Sequence, residues 1–239
     1  ELKKEQRISY ALITGKLHIA ASTLKAMERE GVISVEEEDR YRQVLHPVEC
    51  SGQADILSEI PNAEQQNAID TVVRNMSNGK NEIYLLKGVT GSGKTLVYIE
   101  MIEQVLKMGK QAIVLIPEIA LTYQTVRRFQ KRFGNQVTIM NSRLSKGERY
   151  DQFEKAKNGE VSVMIGPRSA LFTPFQNIGL IIIDEEHESS YKSENPPKYH
   201  AREVAIFRAK QAGASVVLGS ATPSVESFYN SLMGRYHLL

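Results

Sequence analysis

Residues 82–96 read EIYLLKGVTGSGKTL, and no other stretch restricts the possible fold as tightly. A short apolar run, 83–86, leads into Gly88, Val89, Thr90, Gly91, Ser92, Gly93, Lys94 and Thr95, and a helix-compatible segment, 96–102, follows at once. Strand, glycine-rich loop and helix, with G-x-x-x-x-G-K-T at the junction, form the phosphate-binding loop of a nucleoside triphosphatase. Glycines let the backbone curl so that successive N–H groups point at a phosphate, and the helix N-terminus adds partial positive charge. Lys94 is expected to reach the β- and γ-phosphates of ATP, and the Thr95 hydroxyl to ligate Mg²⁺.

From Asn62 onward the sequence alternates helix and strand in regular blocks. Helices are expected over 62–76, 120–132, 146–157, 201–211 and 224–232, and strands over 111–116, 136–140, 161–165, 180–183 and 215–218. The first helix takes Asn62 as its cap and presents Ala68, Ile69, Val72, Val73 and Met76 on one face. Strands of near-continuous Val, Ile and Leu between amphipathic helices predict an α/β domain with a parallel sheet covered on both faces.

The first 58 residues differ in character. They hold eight Lys and Arg against ten Asp and Glu, whereas the remainder holds 22 against 18. Residues 22–30 read as a helix ended by Gly31, 32–35 as a strand, 36–39 as a turn and 41–45 as a returning strand. Helix followed by hairpin is the ending of a winged helix, a module that often binds duplex DNA. The wing tip here is Glu36, Glu37, Glu38 and Asp39. Acids at the tip repel phosphate, so packing or protein contact competes with DNA contact as its role. The expected organisation is a small winged-helix domain with linker over 1–58 and an ATPase domain over 59–239.

The single cysteine, Cys50, excludes an internal disulfide and a multi-cysteine zinc site within these residues, and points to a reducing, cytoplasmic setting. No apolar run approaches the length of a membrane span. Without an initiator Met, the chain is expected to be a fragment of a longer protein. A local basic band over 119–157, nine basic residues against three acidic, suits either a polyanionic partner or a solvated helix face.

Two further motifs carry chemistry. In 179–188, GLIIIDEEHE, Asp184 sits where a buried strand emerges and is placed to hold Mg²⁺ opposite Thr95. Glu185 is placed to polarise the attacking water. His187 is either a hydrogen-bonded structural residue or a relay between nucleotide and ligand sites. In 215–224, SVVLGSATPS, Ser220 and Thr222 are either candidates to bond the acidic pair and sense γ-phosphate loss, or parts of a turn into a helix.

GVTGSGKT, DEEH and GSATP, in this order and spacing, resemble the first RecA-like motor domain of superfamily 2 helicases. LIPEIALTYQ, GPRSALFTPF and the stretch from Asp184 to Ala205 narrow the resemblance to the primosomal replication-restart helicases, from about Asn62 to the end of the chain. That resemblance implies an ATP-dependent 3′→5′ DNA helicase that recognises forked DNA and reloads the replication machinery. Forked or single-stranded DNA, primosome proteins and single-strand-binding protein would be its partners. It implies that Gln65 reads adenine and that Pro117, Glu118 and Thr122 lie in a stretch tracking single-stranded DNA. Arg168 and Ser169 would contact phosphate, and Tyr191, Lys192, Lys198 and Tyr199 would engage DNA from a loop that couples binding to hydrolysis.

The sequence from Met140 to Arg143 departs from the His-Ser-Gly-like sequence of such proteins. A second motor domain with its arginine finger and a cysteine-rich zinc module are expected only in a longer protein. The fragment is therefore expected to bind nucleotide without unwinding DNA. Another nucleic-acid motor, or a binding module without turnover, remains an alternative.

Overall fold

The computed structural model describes residues 10–15, 18–35 and 60–239. The chain divides into two compact units, Glu1–Arg40 and Tyr41–Leu239.

In the first unit, α1 (Tyr10–Gly15) and α2 (Ala21–Arg29) are joined by a short connection. Residues 32–35, expected as a strand, form none. The chain turns back onto α2 instead: Gly31 N–H bonds Glu28 O, Val32 N–H bonds Met27 O, and Val35 N–H reaches the Glu28 carboxylate. With Gly31 at φ +74°, this is a Schellman ending, and it uses the N–H that a ladder would need. The rest of the expected hairpin lies outside the described residues.

The second unit is an α/β domain. Its strands are β1 (Ile83–Lys87), β2 (Gln111–Leu115), β3 (Val137–Ile139), β4 (Val163–Gly166), β5 (Ile178–Ile183), β6 (Ser215–Ser220) and β7 (His237–Leu238). They form one sheet in the order β3-β4-β2-β5-β6-β1-β7, and every pairing is parallel. The helices are α3 (Ala63–Ser77), α4 (Lys94–Lys107), α5 (Tyr123–Phe133), α6 (Lys146–Lys157), α7 (Ala201–Ala212) and α8 (Val225–Leu232).

Alternation along the strands divides the core. Tyr84, Leu86, Leu180 and Ile182 face one layer with α3, α4 and α5, whereas Leu85, Ile181 and Ile183 face the other with α6 and α7. Each of these strand side chains is buried, and burying one Leu- or Ile-sized group is worth about 1.5–3 kcal/mol. Among the described residues no helix is long and apolar enough to cross a membrane.

Helix starts follow cap chemistry. Asn62 and Gln65 form a reciprocal capping box at α3, and Ser145 with Glu148 does the same at α6. The helix expected from residue 120 begins three residues later because Thr122 caps it, its hydroxyl accepting from Thr125 N–H.

The strand order positions the site. β5, β6 and β1 are neighbours, so the residues after each strand meet at one end of the sheet. Gly88 N–H bonds Ser220 O, and Glu186 N–H bonds Gly219 O, stitching the three strand ends together.

Candidate nucleotide site

The loop between β1 and α4 turns on Gly91 and Gly93, both at φ +81°. Gly93 has a second requirement, since a Cβ there would lie 2.5 Å from Gln65 Nε2. The first N–H groups of α4, from Lys94 and Thr95, have no partner within the helix and lie at the loop. Lys94 Nζ donates to Gly88 O at 2.8 Å and lies 4.0 Å from Glu185 Oε1. The Lys94 ammonium and the acidic motif therefore share one site.

Gln65 is tied into the same loop. Its Oε1 accepts from Asn62 N–H and its Nε2 donates to Ser92 O, both at 2.8 Å. The side chain expected to read adenine thus also fixes α3 against the phosphate loop. One lone pair and one N–H beyond these two bonds belong to the amide.

Asp184 accepts from the Tyr98 hydroxyl at 2.9 Å. Tyr98 lies on α4 and is 1% exposed. A Cβ on Gly219 would lie 1.7 Å from that hydroxyl, so the bare glycine of β6 is what lets Tyr98 reach Asp184. Burial is the main reason the Asp184 carboxyl is held above the usual carboxylate range, and the Glu185 charge adds to it against the Tyr98 bond and Lys94. A value raised in the folded state means the fold favours the neutral form, so this group's contribution to stability is lost as pH rises through that value. Asp184→Asn keeps an acceptor for Tyr98 and is expected to raise the melting temperature at neutral pH. Thermal unfolding across pH checks it: the advantage should shrink as pH is lowered.

Thr95 and Asp184 carry oxygen donors, the type of ligand a hard divalent cation takes. Among the described residues no group of three His, Cys, Asp or Glu could hold a metal alone.

Glu185 adopts φ +46°, a left-handed conformation that costs a non-glycine residue about 1–2 kcal/mol. Its Oε2 is 3.7 Å from His187 Nδ1. Ser220 Oγ accepts from Thr222 N–H and lies 2.8 Å from His187 Nδ1. The expectation that Ser220 and Thr222 bond the acidic pair is corrected: Ser220 reaches it through His187, and Thr222 contributes its main chain.

Glu186, passed over in the sequence, is 1% exposed. Its carboxylate accepts from Ser224 N–H at 2.6 Å, Ser227 Oγ at 2.9 Å, and Ser224 Oγ and Arg202 Nη1 at 3.1 Å. Arg202, 5% exposed, also pairs with Glu226. The loop after β5 is thereby clamped to α7 and α8. The available signal was α7 itself, where Arg202 directly follows Ala201 on the buried run Ala201, Ala205 and Ala209.

The residues expected to face DNA separate into two groups. Lys192, Lys198 and Ser169 are exposed, and Tyr199 is half-buried. Tyr191 is corrected: it is 1% exposed, with its hydroxyl between Leu115 O at 3.0 Å and Asp184 O at 2.6 Å. A ring sealed in the core cannot stack on a base. Arg168 Nη1 donates to Ser190 O and Lys192 O, bracing the loop that carries the lysines. Thr122 caps α5, and Glu118 accepts from Ser142 N–H at 2.9 Å, holding the stretch that departs from the expected sequence. The Ser142 side chain first, and this backbone bond second, hold the Glu118 carboxyl below its usual range.

A parallel RecA-like sheet with a phosphate loop after β1 and an acidic motif after β5 defines a class of nucleotide-binding domain. Residues 59–225 match the family described as the Type III restriction enzyme, res subunit, and the chain belongs to that family. The chain is similar to Replication restart protein PriA: it is 45% identical to the protein of Bacillus subtilis over 234 residues, covering 98% of this chain and 29% of that one. The Haemophilus influenzae protein is 50% identical over 157 residues, 66% of this chain and 22% of that one. The chain thus spans under a third of the length of these relatives.

A structure of RecG bound to a three-way DNA junction superposes with a TM-score of 0.56 at 25% identity, over 76% of this chain and 24% of that one. The Hef helicase domain of Pyrococcus furiosus shares the fold, with a TM-score of 0.50 at 18% identity over 74% of this chain and 37% of that one.

Proposed function

We propose that the chain is the nucleotide-binding part of an ATP-dependent 3′→5′ DNA helicase that acts at forked DNA and restarts replication. The observation that carries the reading is the shared site of Lys94, Asp184 and Glu185 at the end of β1 and β5, in a chain 45% identical to PriA over nearly its whole length. The loop from Gly88 to Thr95 would cradle the phosphates, with Lys94 exchanging its bond to Gly88 O for phosphate oxygens. Gln65 would meet the base. Thr95 and Asp184 would hold Mg²⁺, which when bound neutralises charge on the transferred phosphoryl group. Glu185 would polarise water, its backbone conformation aiming the carboxylate toward Lys94.

His187 and Ser220 would report on the γ-phosphate through their mutual bond. Arg168, Ser169, Thr122, Lys192, Lys198 and Tyr199 would meet single-stranded DNA, and primosome and single-strand-binding proteins would be partners of the longer protein. That protein would act in the cytoplasm.

Two substitutions test the site. Lys94→Ala is expected to weaken nucleotide binding at least about tenfold, the worth of a lost charge-assisted bond. Glu185→Gln is expected to bind nucleotide like the parent and to slow hydrolysis by about 10²–10⁴-fold in the DNA-stimulated protein. Fluorescent-nucleotide titration and phosphate release measure the two. Undiminished nucleotide affinity in Lys94→Ala would overturn the phosphate-loop assignment.

A further inference from the structure

Between β4 and β5 a single 3₁₀ turn, Arg168–Phe172, runs directly into Thr173. Ala170, Leu171 and Thr173 are each fully buried, yet Phe172 among them is 51% exposed. A large apolar side chain turned outward between buried neighbours is ordinarily a loose surface group. Here the mount is rigid. The guanidinium of Arg208, from α7, bonds the carbonyls of Leu171 and Thr173, the two residues that flank Phe172. Thr173 closes the turn as well, its hydroxyl donating to Ala170 O at 2.7 Å.

The ring has an aromatic backstop. Tyr199 meets it edge-on, with centroids 5.4 Å apart and planes at 82°. The loop behind Tyr199 is pinned: Ser193 N–H bonds Tyr199 O at 2.7 Å, and Lys192 pairs with His200. Arg168, at the other end of the same turn as Phe172, bonds Lys192 O at 2.6 Å. One closed circuit of contacts therefore unites an outward phenyl face, its supporting tyrosine, an arginine and an exposed lysine. Exposed lysine Lys198 lies next to Tyr199 in the chain.

An exposed phenyl held in a circuit that also carries Arg168 and the exposed Lys192 offers an apolar surface for a base and nearby chain positions with positive charge for its phosphates. Because paired bases hide their faces in the stack, the fitting ligand is single-stranded. Given the proposed contact with DNA, on which this rests, we infer that Phe172 is a base-stacking platform for one unpaired nucleotide, mounted by Arg208 and supported by Tyr199. Stacking on a preset ring avoids the ordering cost that a mobile aromatic would incur.

The chain contains no tryptophan, so Phe172→Trp introduces a single indole as a direct reporter. Its fluorescence should be quenched by oligothymidine and left unchanged by an abasic oligonucleotide of the same length. Phe172→Ala should bind oligothymidine about tenfold more weakly than the parent, bind the abasic strand equally well, and keep parental nucleotide affinity and melting temperature. If the parent binds oligothymidine while Phe172→Ala binds it equally and the indole does not respond, the platform is refuted and the DNA-binding reading stands. If the parent binds no oligonucleotide, both fall.

Discussion

Replacing Gly219 by alanine is expected to cost the fold about 3 kcal/mol or more, combining overpacking with the loss of a bond to a half-buried carboxylate. The added Cβ would lie 1.7 Å from the Tyr98 hydroxyl and 2.8 Å from the ring carbon that bears it. Tyr98 has little room to move, being packed in α4 at 1% exposure. The clash must therefore displace either β6 or the ring, and both routes break the contact with Asp184. For a domain of this size the melting temperature should fall by roughly 10 °C. Thermal unfolding of Gly219→Ala, Tyr98→Phe and their combination tests the cause. Tyr98→Phe removes the closest clashing atom, so the double variant should recover much of what Gly219→Ala loses, although the 2.8 Å contact keeps the recovery incomplete. Additive losses would mean that the two residues do not meet as described.

Glu186→Ala is expected to be the most damaging substitution that leaves every proposed nucleotide contact in place. Removing one member of a buried ion pair costs about 3–5 kcal/mol, because the partner charge is left in the interior. Arg202 would retain Glu226, but that carboxylate is largely exposed and holds the guanidinium from outside. Ser224 loses the acceptor for its N–H at the cap of α8 as well. Urea unfolding should show a lower midpoint with little change in slope. Glu186→Leu combined with Arg202→Met should restore part of the loss, limited by the Ser224 and Ser227 hydroxyls that then lack a buried acceptor. A midpoint unchanged in Glu186→Ala would show that the clamp contributes nothing to the fold.

Much of this domain was legible in the sequence because its elements announce themselves locally. Residues 146–157 were bounded correctly, since Ser145 and Glu148 mark one end of α6 and Asn158 and Gly159 the other. The strands ahead of Gly88 and Asp184 were visible for a related reason: each is a short run of consecutive apolar residues. What stayed hidden depends on distant neighbours. Tyr191 stands among lysines and serines and looks like a surface residue, but its burial is settled by Leu115, 76 positions earlier. Glu186 is chemically identical to Glu185 beside it, and only the left-handed turn at Glu185 sends one carboxylate to Lys94 and the other to Arg202. Residues 32–35 have strand-forming side chains, yet the preceding glycine diverts a donor into a helix ending. β7 is two residues long, below what apolar pattern can detect.

The position of β1 in the sheet also sets an order of events during synthesis. This strand carries the phosphate loop, but both of its neighbours, β6 and β7, come from the far end of the described chain. Ile83 must await Val216, 133 positions later, which at ribosomal speeds is a delay of roughly ten seconds. Until then β2, β4 and β5 can assemble with their helices, while β1 has two unpaired edges open to wrong partners. Among the described strands β1 is therefore flanked late, and the loop that follows it takes its place beside Asp184 only when β6 and β7 have closed around it.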